Sequence, residues 1–354
     1  MDIGHRVASA VLKHYQDVVP RKWKPRNGEW TVLSAFILED VGSGTLEVVS
    51  LGSGTKCLGV TQLSLQGDAI HDSHGEVLAR RGFKRYLLSE VLKFNESKTG
   101  ILRSKEDFKA FPKKIHFFFD TSSMWRCNNN SNDADGPSKS KKSRVEGPDI
   151  HRTGAKCVAN QVMMDEHLPG VGYHVVGAVR TKPGRGSPTK SLSCSDKMLK
   201  WNYFGTCGDI LKRFWFPSGL HWSSITINCQ IEDKDSIKES LQRALIDRCS
   251  APFGTIHLPL ICTSHLSFEY DLKMDESNKA SPCANSICWS KVANEPLAML
   301  SEGRKFGLAK KHYSSRKSIL PISRLKLAEF ALHIMMQEKS DRISYIWSKK
   351  YQVL

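Results

Sequence analysis

The triplet His74-Gly75-Glu76 sets an imidazole and a carboxylate two residues apart at the start of an apolar-periodic segment. Such a pair can divide the labour of a metal-assisted hydrolysis. The imidazole takes the metal, and the carboxylate moves a proton without itself binding the metal. A catalytic zinc needs three protein ligands and keeps a fourth position open. Cys194, in Ser191-Leu192-Ser193-Cys194-Ser195-Asp196-Lys197, is a second candidate ligand. Taken singly, these residues are ordinary. Most His-x-Glu triplets sit on solvated surfaces, and an isolated cysteine is most often a buried thiol.

The elements that must position these residues read as a mixture of helices and strands, which indicates an α/β or α+β fold. Residues 3–15 carry Val7, Ala8, Val11 and Leu12 at helical spacing. Residues 30–38, 46–51, 115–119, 175–179 and 223–228 read as strands. The Gly-Ser-Gly-Thr-Lys run at 52–56 reads as a turn, because its spacing is not that of a phosphate loop. Asp72 or Ser73 is the expected cap of a helix whose apolar face is Val77, Leu78, Phe83, Leu87, Leu88 and Val91. Ser193 or Ser195 should cap a second helix over 195–199. Helical spacing recurs at 236–249 and 323–336. Residues 127–149 are polar and read as a flexible surface insertion.

The chain has 354 residues, enough for one large or two medium domains. Lys and Arg number 52 against 36 acidic residues, a net charge of +16. That excess attracts polyanions: nucleic acid first, then an inositol phosphate or an anionic membrane surface. A basic surface with no such partner is the bland alternative. No apolar run is long enough to span a bilayer and no secretory leader is visible, so an intracellular protein of the nucleus or cytoplasm is expected. Its ten cysteines should then be reduced.

Several blocks resemble the RNA adenosine deaminase (editase) family. Residues 67–81, Gly-Asp-Ala-Ile-His-Asp-Ser-His-Gly-Glu-Val-Leu-Ala-Arg-Arg, look like its active-site helix. Residues 191–202 look like its second metal-ligand block. Arg152-Thr153-Gly154-Ala155-Lys156-Cys157 and Lys182-Pro183-Gly184-Arg185-Gly186 are similar to the tRNA branch, the class acting on the adenosine 3′ of the anticodon in alanine tRNA. Gln242-Arg243-Ala244-Leu245 and Ser286-Ile287-Cys288-Trp289 are similar to later blocks. The resemblance implies a cytidine-deaminase-like core, a mixed sheet flanked by helices, elaborated into one large editase domain over 48–354. Residues 1–47 would add a helix and a strand packed on that core. It implies a monomer that binds tRNA and hydrolyses adenosine to inosine. His74 and Cys194 would hold Zn²⁺, and Glu76 would shuttle the proton.

The resemblance also implies a third ligand, a cysteine in a Pro-Cys-Gly segment just after the strand at 115–119. No Pro-Cys-Gly occurs in the chain. Cys127 is the nearest thiol, and two readings follow: a shifted loop brings Cys127 to the zinc, or the chain is a catalytically impaired, RNA-binding isoform with an incomplete site. Family members further enclose inositol hexakisphosphate. The resemblance assigns its contacts to Arg80, Arg81, Lys197, Lys200, Arg304, Tyr345 and Lys349. Family members continue past the point matching Leu354 with another helix, so a truncated anion pocket is expected here.

Overall fold

The computed structural model describes residues 2–120, 156–157, 180–181, 189–228, 238, 241–242, 245–246, 257–271 and 280–351. In chain order the elements begin with α1 (Ile3–Val18), β1 (Glu29–Trp30), β2 (Leu33–Asp40), β3 (Leu46–Ser53), β4 (Thr55–Cys57) and β5 (Asp72–His74). There follow α2 (Gly75–Ser97), α3 (Glu106–Lys109), β6 (Lys113–Asp120), β7 (Lys156–Cys157), β8 (Arg180–Thr181), α4 (Cys194–Phe204) and α5 (Asp209–Phe214). The last are β9 (Ser224–Asn228), β10 (Leu260–Ser264), β11 (Ser281–Pro282), β12 (Ser286–Ser290), β13 (Leu297–Ser301), β14 (Arg304–Lys305) and α6 (Arg324–Tyr351).

Among the described residues an eight-stranded sheet runs β10-β9-β6-β2-β3-β12-β13-β14. β10, β9 and β6 are parallel, and every other neighbouring pair is antiparallel. This mixed sheet with helices on its faces is the α/β architecture expected for an editase-like core. Side chains alternate across it, as strand geometry requires. Phe36, Phe117 and Phe119 enter a core with Phe83 and Leu87 of α2 and Met198 of α4. Leu33, Ala35, Ile37 and Phe118 enter the opposite core with Val7, Val11 and Tyr15 of α1. α1 begins at a clear cap, where the Asp2 carboxylate accepts from the His5 N–H at 2.9 Å.

Two local expectations need correction. Asp72 and Ser73 do not cap α2. They lie in β5, held extended by pairing with β4, where Thr55 faces His74. His74 is the N-cap residue of α2 and makes no capping side-chain bond. Residues 52–56 are more than a turn. Gly52 and Ser53 finish β3, and Thr55 opens β4. Gly52 is required by the close approach of α2: a Cβ there would lie 2.3 Å from the Gly75 carbonyl oxygen. The insertion at 127–149, the strand at 175–179 and most of the helix at 236–249 lie outside the described residues. Among the described residues no helix is long and apolar enough to cross a membrane.

β6 and β9 end on a buried polar pair. Asp120 faces Asn228 in register, and the Asn228 amide donates to Asp120 Oδ1 and to the Leu266 carbonyl, each at 2.8 Å. Among the described residues Asp120 Oδ2 is buried with no hydrogen-bond partner. Burial and the nearby Asp271 raise the Asp120 carboxyl well above its ordinary value, against the Asn228 bond. The folded chain therefore favours the neutral acid more than the unfolded chain does. That contribution is complete below the unfolded value, near 3.9, and is lost as pH rises through the folded one. Asp120→Asn stays neutral throughout. We expect wild-type melting temperature to fall relative to that variant as pH rises above about 4. Parallel melting curves over that range would show that Asp120 carries no such linkage.

Candidate active site

Two helix N-termini deliver the candidate residues. β5 ends on His74 and α2 begins at Gly75, so Glu76 falls in the first turn of α2. α4 starts at Cys194, behind a Ser193 cap whose hydroxyl accepts from the Asp196 N–H at 3.2 Å. Both ends point positive partial charge at the cluster, which favours a carboxylate and a thiolate. His74, Glu76 and Cys194 are all buried.

Lys197, one turn into α4, binds these parts together. Its ammonium lies 2.6 Å from Glu76 Oε1 and 2.9 Å from Asp72 Oδ2. Burial opposes its charge, but Glu76, Asp72 and Cys194 outweigh that and hold the ammonium above its usual range. Asp72 also accepts from the Ser191 hydroxyl and bonds Nδ1 of His74 through its other oxygen. Burial raises the Asp72 carboxyl, yet His74 and Lys197 together keep it well below the ordinary carboxylate range. A carboxylate on one ring nitrogen orients a histidine so that the other, here Nε2, is the one offered to a metal. The imidazole and thiol types suit zinc. Among the described residues, however, no three His, Cys, Asp or Glu side chains are grouped to hold a metal ion. Two of the three expected donors are described, and Cys127 lies outside the described residues.

Residues 50–353 match the family described as "Adenosine-deaminase (editase) domain". This chain belongs to that family. It is similar to the human protein "tRNA-specific adenosine deaminase 1", 28% identical with 91% of this chain and 86% of the relative covered. The Drosophila melanogaster protein of that name is 30% identical, covering 91% of this chain and 79% of the relative. The rat "Double-stranded RNA-specific adenosine deaminase" is 29% identical over 64% of this chain and 19% of its own length.

The residues expected around an inositol phosphate divide into four groups in this editase. Arg80 and Arg81 sit on α2 directly beyond the site, partly buried. Arg80 Nε donates to the Thr206 carbonyl at 2.8 Å, and its guanidinium lies 4.9 Å from the Trp201 ring centroid. Arg81 donates to the Ile322 carbonyl at 3.0 Å. Lys197 joins the Asp72–Glu76 cluster. Lys200 is exposed, and Arg304 is ion-paired to Asp68 at 2.8 Å with a bond to Ser318. Tyr345 and Lys349 fall within α6, and their side chains are outside the described residues.

Three participants escape the sequence reading. Asp72 and His74 are alternate residues of a strand and so share a face, a signal hidden by reading Asp72 as a helix cap. Ser191, a lone hydroxyl before the α4 cap, carries no signal of its own in the sequence, yet it donates to Asp72. Lys84 stands one turn beyond Arg80 on the same helix face. Burial, with Arg80 and Arg81 beside it, pulls the Lys84 ammonium down to about 7. Arg80 is pulled down to about 10 by burial, with Arg81 adding to the effect.

Removing Lys197 would leave two buried carboxylates without their cation. We expect Lys197→Met to lower unfolding free energy by about 3–5 kcal/mol in urea titration. Adding Glu76→Gln should restore part of the loss. A single variant within about 1 kcal/mol of wild type would mean that Lys197 does not hold the cluster together.

Proposed function

We propose that this chain is an RNA-binding editase of the tRNA type whose zinc site is incomplete, so that its deaminase activity is impaired. The observation behind this reading is the end of β6. No Pro-Cys-Gly follows β6 in the sequence, and the described donors number two, His74 and Cys194. Two protein ligands hold zinc weakly, and catalytic sites use three. The tRNA partner is inferred from the relatives' names and from the net charge of +16.

A second reading has its own support. The Lys197–Glu76 and Asp72–His74 contacts retain the apparatus that moves a proton. A thiolate from Cys127 would complete the donor set for zinc, which supplies a water acidic enough to attack near neutral pH. Glu76, buried at a helix start and touched by one ammonium, would carry the proton to the leaving amine of adenosine. Asp72 would hold the His74 ring. The substrate would be the adenosine 3′ of the anticodon in alanine tRNA, unstacked into the pocket.

One experiment separates the two. The purified chain is assayed for zinc and for inosine in an alanine tRNA transcript, beside Glu76→Ala. The incomplete-site reading expects zinc well below one per chain and no inosine above the Glu76→Ala control. One zinc per chain, lost in Cys127→Ala, with inosine formation that Glu76→Ala abolishes, would overturn it in favour of the active enzyme.

The crowded cations of α2 fit a bound polyphosphate, inositol hexakisphosphate by family likeness. Like charges in a low-dielectric setting need an anion to relieve them. Lys84 titrates near 7 when folded against about 10.4 when unfolded, so without an anion its stability contribution is lost as pH falls through the folded value. An anion favours the ammonium and reverses this. Binding of inositol hexakisphosphate at pH 8 should raise the melting temperature and take up a proton. Calorimetry in buffers of different ionisation enthalpy checks it: Lys84→Met should bind without that uptake, and equal uptake in both proteins would remove Lys84 from the anion site.

A further inference from the structure

Large apolar side chains are exposed on both α4 and α5. Phe204, the last residue of α4, is 54% exposed, and Phe214, the last of α5, is 53% exposed. Ile210, one turn before Phe214 on the same face of α5, is 41% exposed. The neighbouring Tyr203 and Trp215 rings lie against the two phenylalanines at 4.8 and 6.0 Å between centroids, which limits the directions each exposed ring can take.

The exposed charge on α4 and α5 is mainly positive, with Asp209 the exposed acid and Glu338 accepting from the Trp215 indole at 2.8 Å. Lys200 and Arg213 are exposed, and the Lys212 ammonium donates to the Phe204 carbonyl at 3.2 Å, tying the two helices together. Beneath the connecting turn stand the cations of α2. A Cβ at Gly208 would lie 3.0 Å from the Lys84 ammonium and 3.1 Å from the Arg80 guanidinium. On α4 and α5 the acidic residues are Asp196, which is buried, and Asp209. Exposed aromatic faces set among cations can stack bases and track a phosphate backbone at once. A purely apolar protein partner would gain nothing from so many surrounding charges.

We propose that the α4–α5 corner, through Phe204 and Phe214 with Lys200, Lys212 and Arg213, is a stacking platform for single-stranded RNA flanking the nucleotide presented to the Glu76 cluster. The proposal rests on the RNA-binding reading above and adds where the strand lies. α4 spans eleven residues from Cys194 to Phe204, so the platform stands roughly 15 Å along that helix from the Cys194 end. That spacing suits contacts with neighbours of the target rather than with the target itself. The rings supply sequence-tolerant affinity, and the lysine and arginine side chains supply the salt-dependent part.

The full-length chain is titrated by fluorescence anisotropy with an alanine tRNA transcript and with an unstructured oligoribonucleotide, across a range of salt. Phe204→Leu with Phe214→Leu keeps apolar bulk but removes the aromatic faces. Both positions are exposed, so the fold should hold, and a thermal melt checks this. That variant should weaken both RNAs about tenfold or more with the salt slope unchanged, whereas Phe204→Trp with Phe214→Trp should bind at least as well as wild type. Lys212→Ala with Arg213→Ala should lower the magnitude of the salt slope by about 1–1.5. Wild-type binding that the leucine pair leaves unchanged would overturn the platform alone. A wild-type chain that binds neither RNA would overturn the platform and the RNA-binding reading together. Leucine-pair binding as tight as wild type to anionic vesicles, without RNA binding, would reassign the corner to a lipid surface.

Discussion

The Lys197 ammonium, lodged between Asp72 and Glu76, is the contact on which the rest of the site depends. It joins the N-terminal turns of α2 and α4, which come from segments more than a hundred residues apart. Each group alone would be costly to bury, and together they neutralise one another. The arrangement also fixes orientation. Asp72 spends one oxygen on Lys197 and Ser191 and the other on His74, so a single carboxylate sets both the ammonium and the imidazole. This charged cluster is thus built into the fold by β5, α2 and α4 themselves.

The sheet makes that meeting possible by letting backbones approach closely. Gly52 of β3 and Gly75 of α2 face each other without side chains between them, and β4 pairs with β5 directly beyond. The first turn of α2 is therefore seated on the sheet rather than held above it. Ser50 reinforces this by donating its hydroxyl to the Ala79 carbonyl at 2.8 Å. The cost of this fixed seat falls one turn later, where Arg80, Arg81 and Lys84 are packed side by side. Burial first, and neighbouring cations second, lower their affinities for protons.

Much of this was legible in the residues. Periodicity and apolar runs located α1, the apolar face of α2, β2, β3, β6 and β9, because each buries one or both faces against a core. His74, Glu76 and Cys194 stood out as types with zinc and proton chemistry, and the surrounding blocks pointed to the editase family that the comparisons then showed. What the sequence hid depends on long-range pairing. β4 and β5 are three-residue strands with no alternation to read, so Asp72 passed for a helix cap. β10 and β13 are short, and neither stood out between its turns. Lys197 looked like one more basic residue because a side chain's partner cannot be inferred from its own helix when that partner lies on another.

The pairing order of the strands has a consequence for synthesis. β3 lies between β2 and β12, with Gly52 opposite Cys288. While a ribosome makes the chain, the outer edge of β3 has no native partner until residues near 290 emerge, roughly 10–50 s after residue 53 at ordinary elongation rates. Throughout that interval a strand bearing Val48, Val49 and Leu51 presents unsatisfied amides and carbonyls. The nascent protein should consequently need chaperone shelter, and lesions that cut translation short before β12 should yield aggregates rather than a smaller soluble fragment.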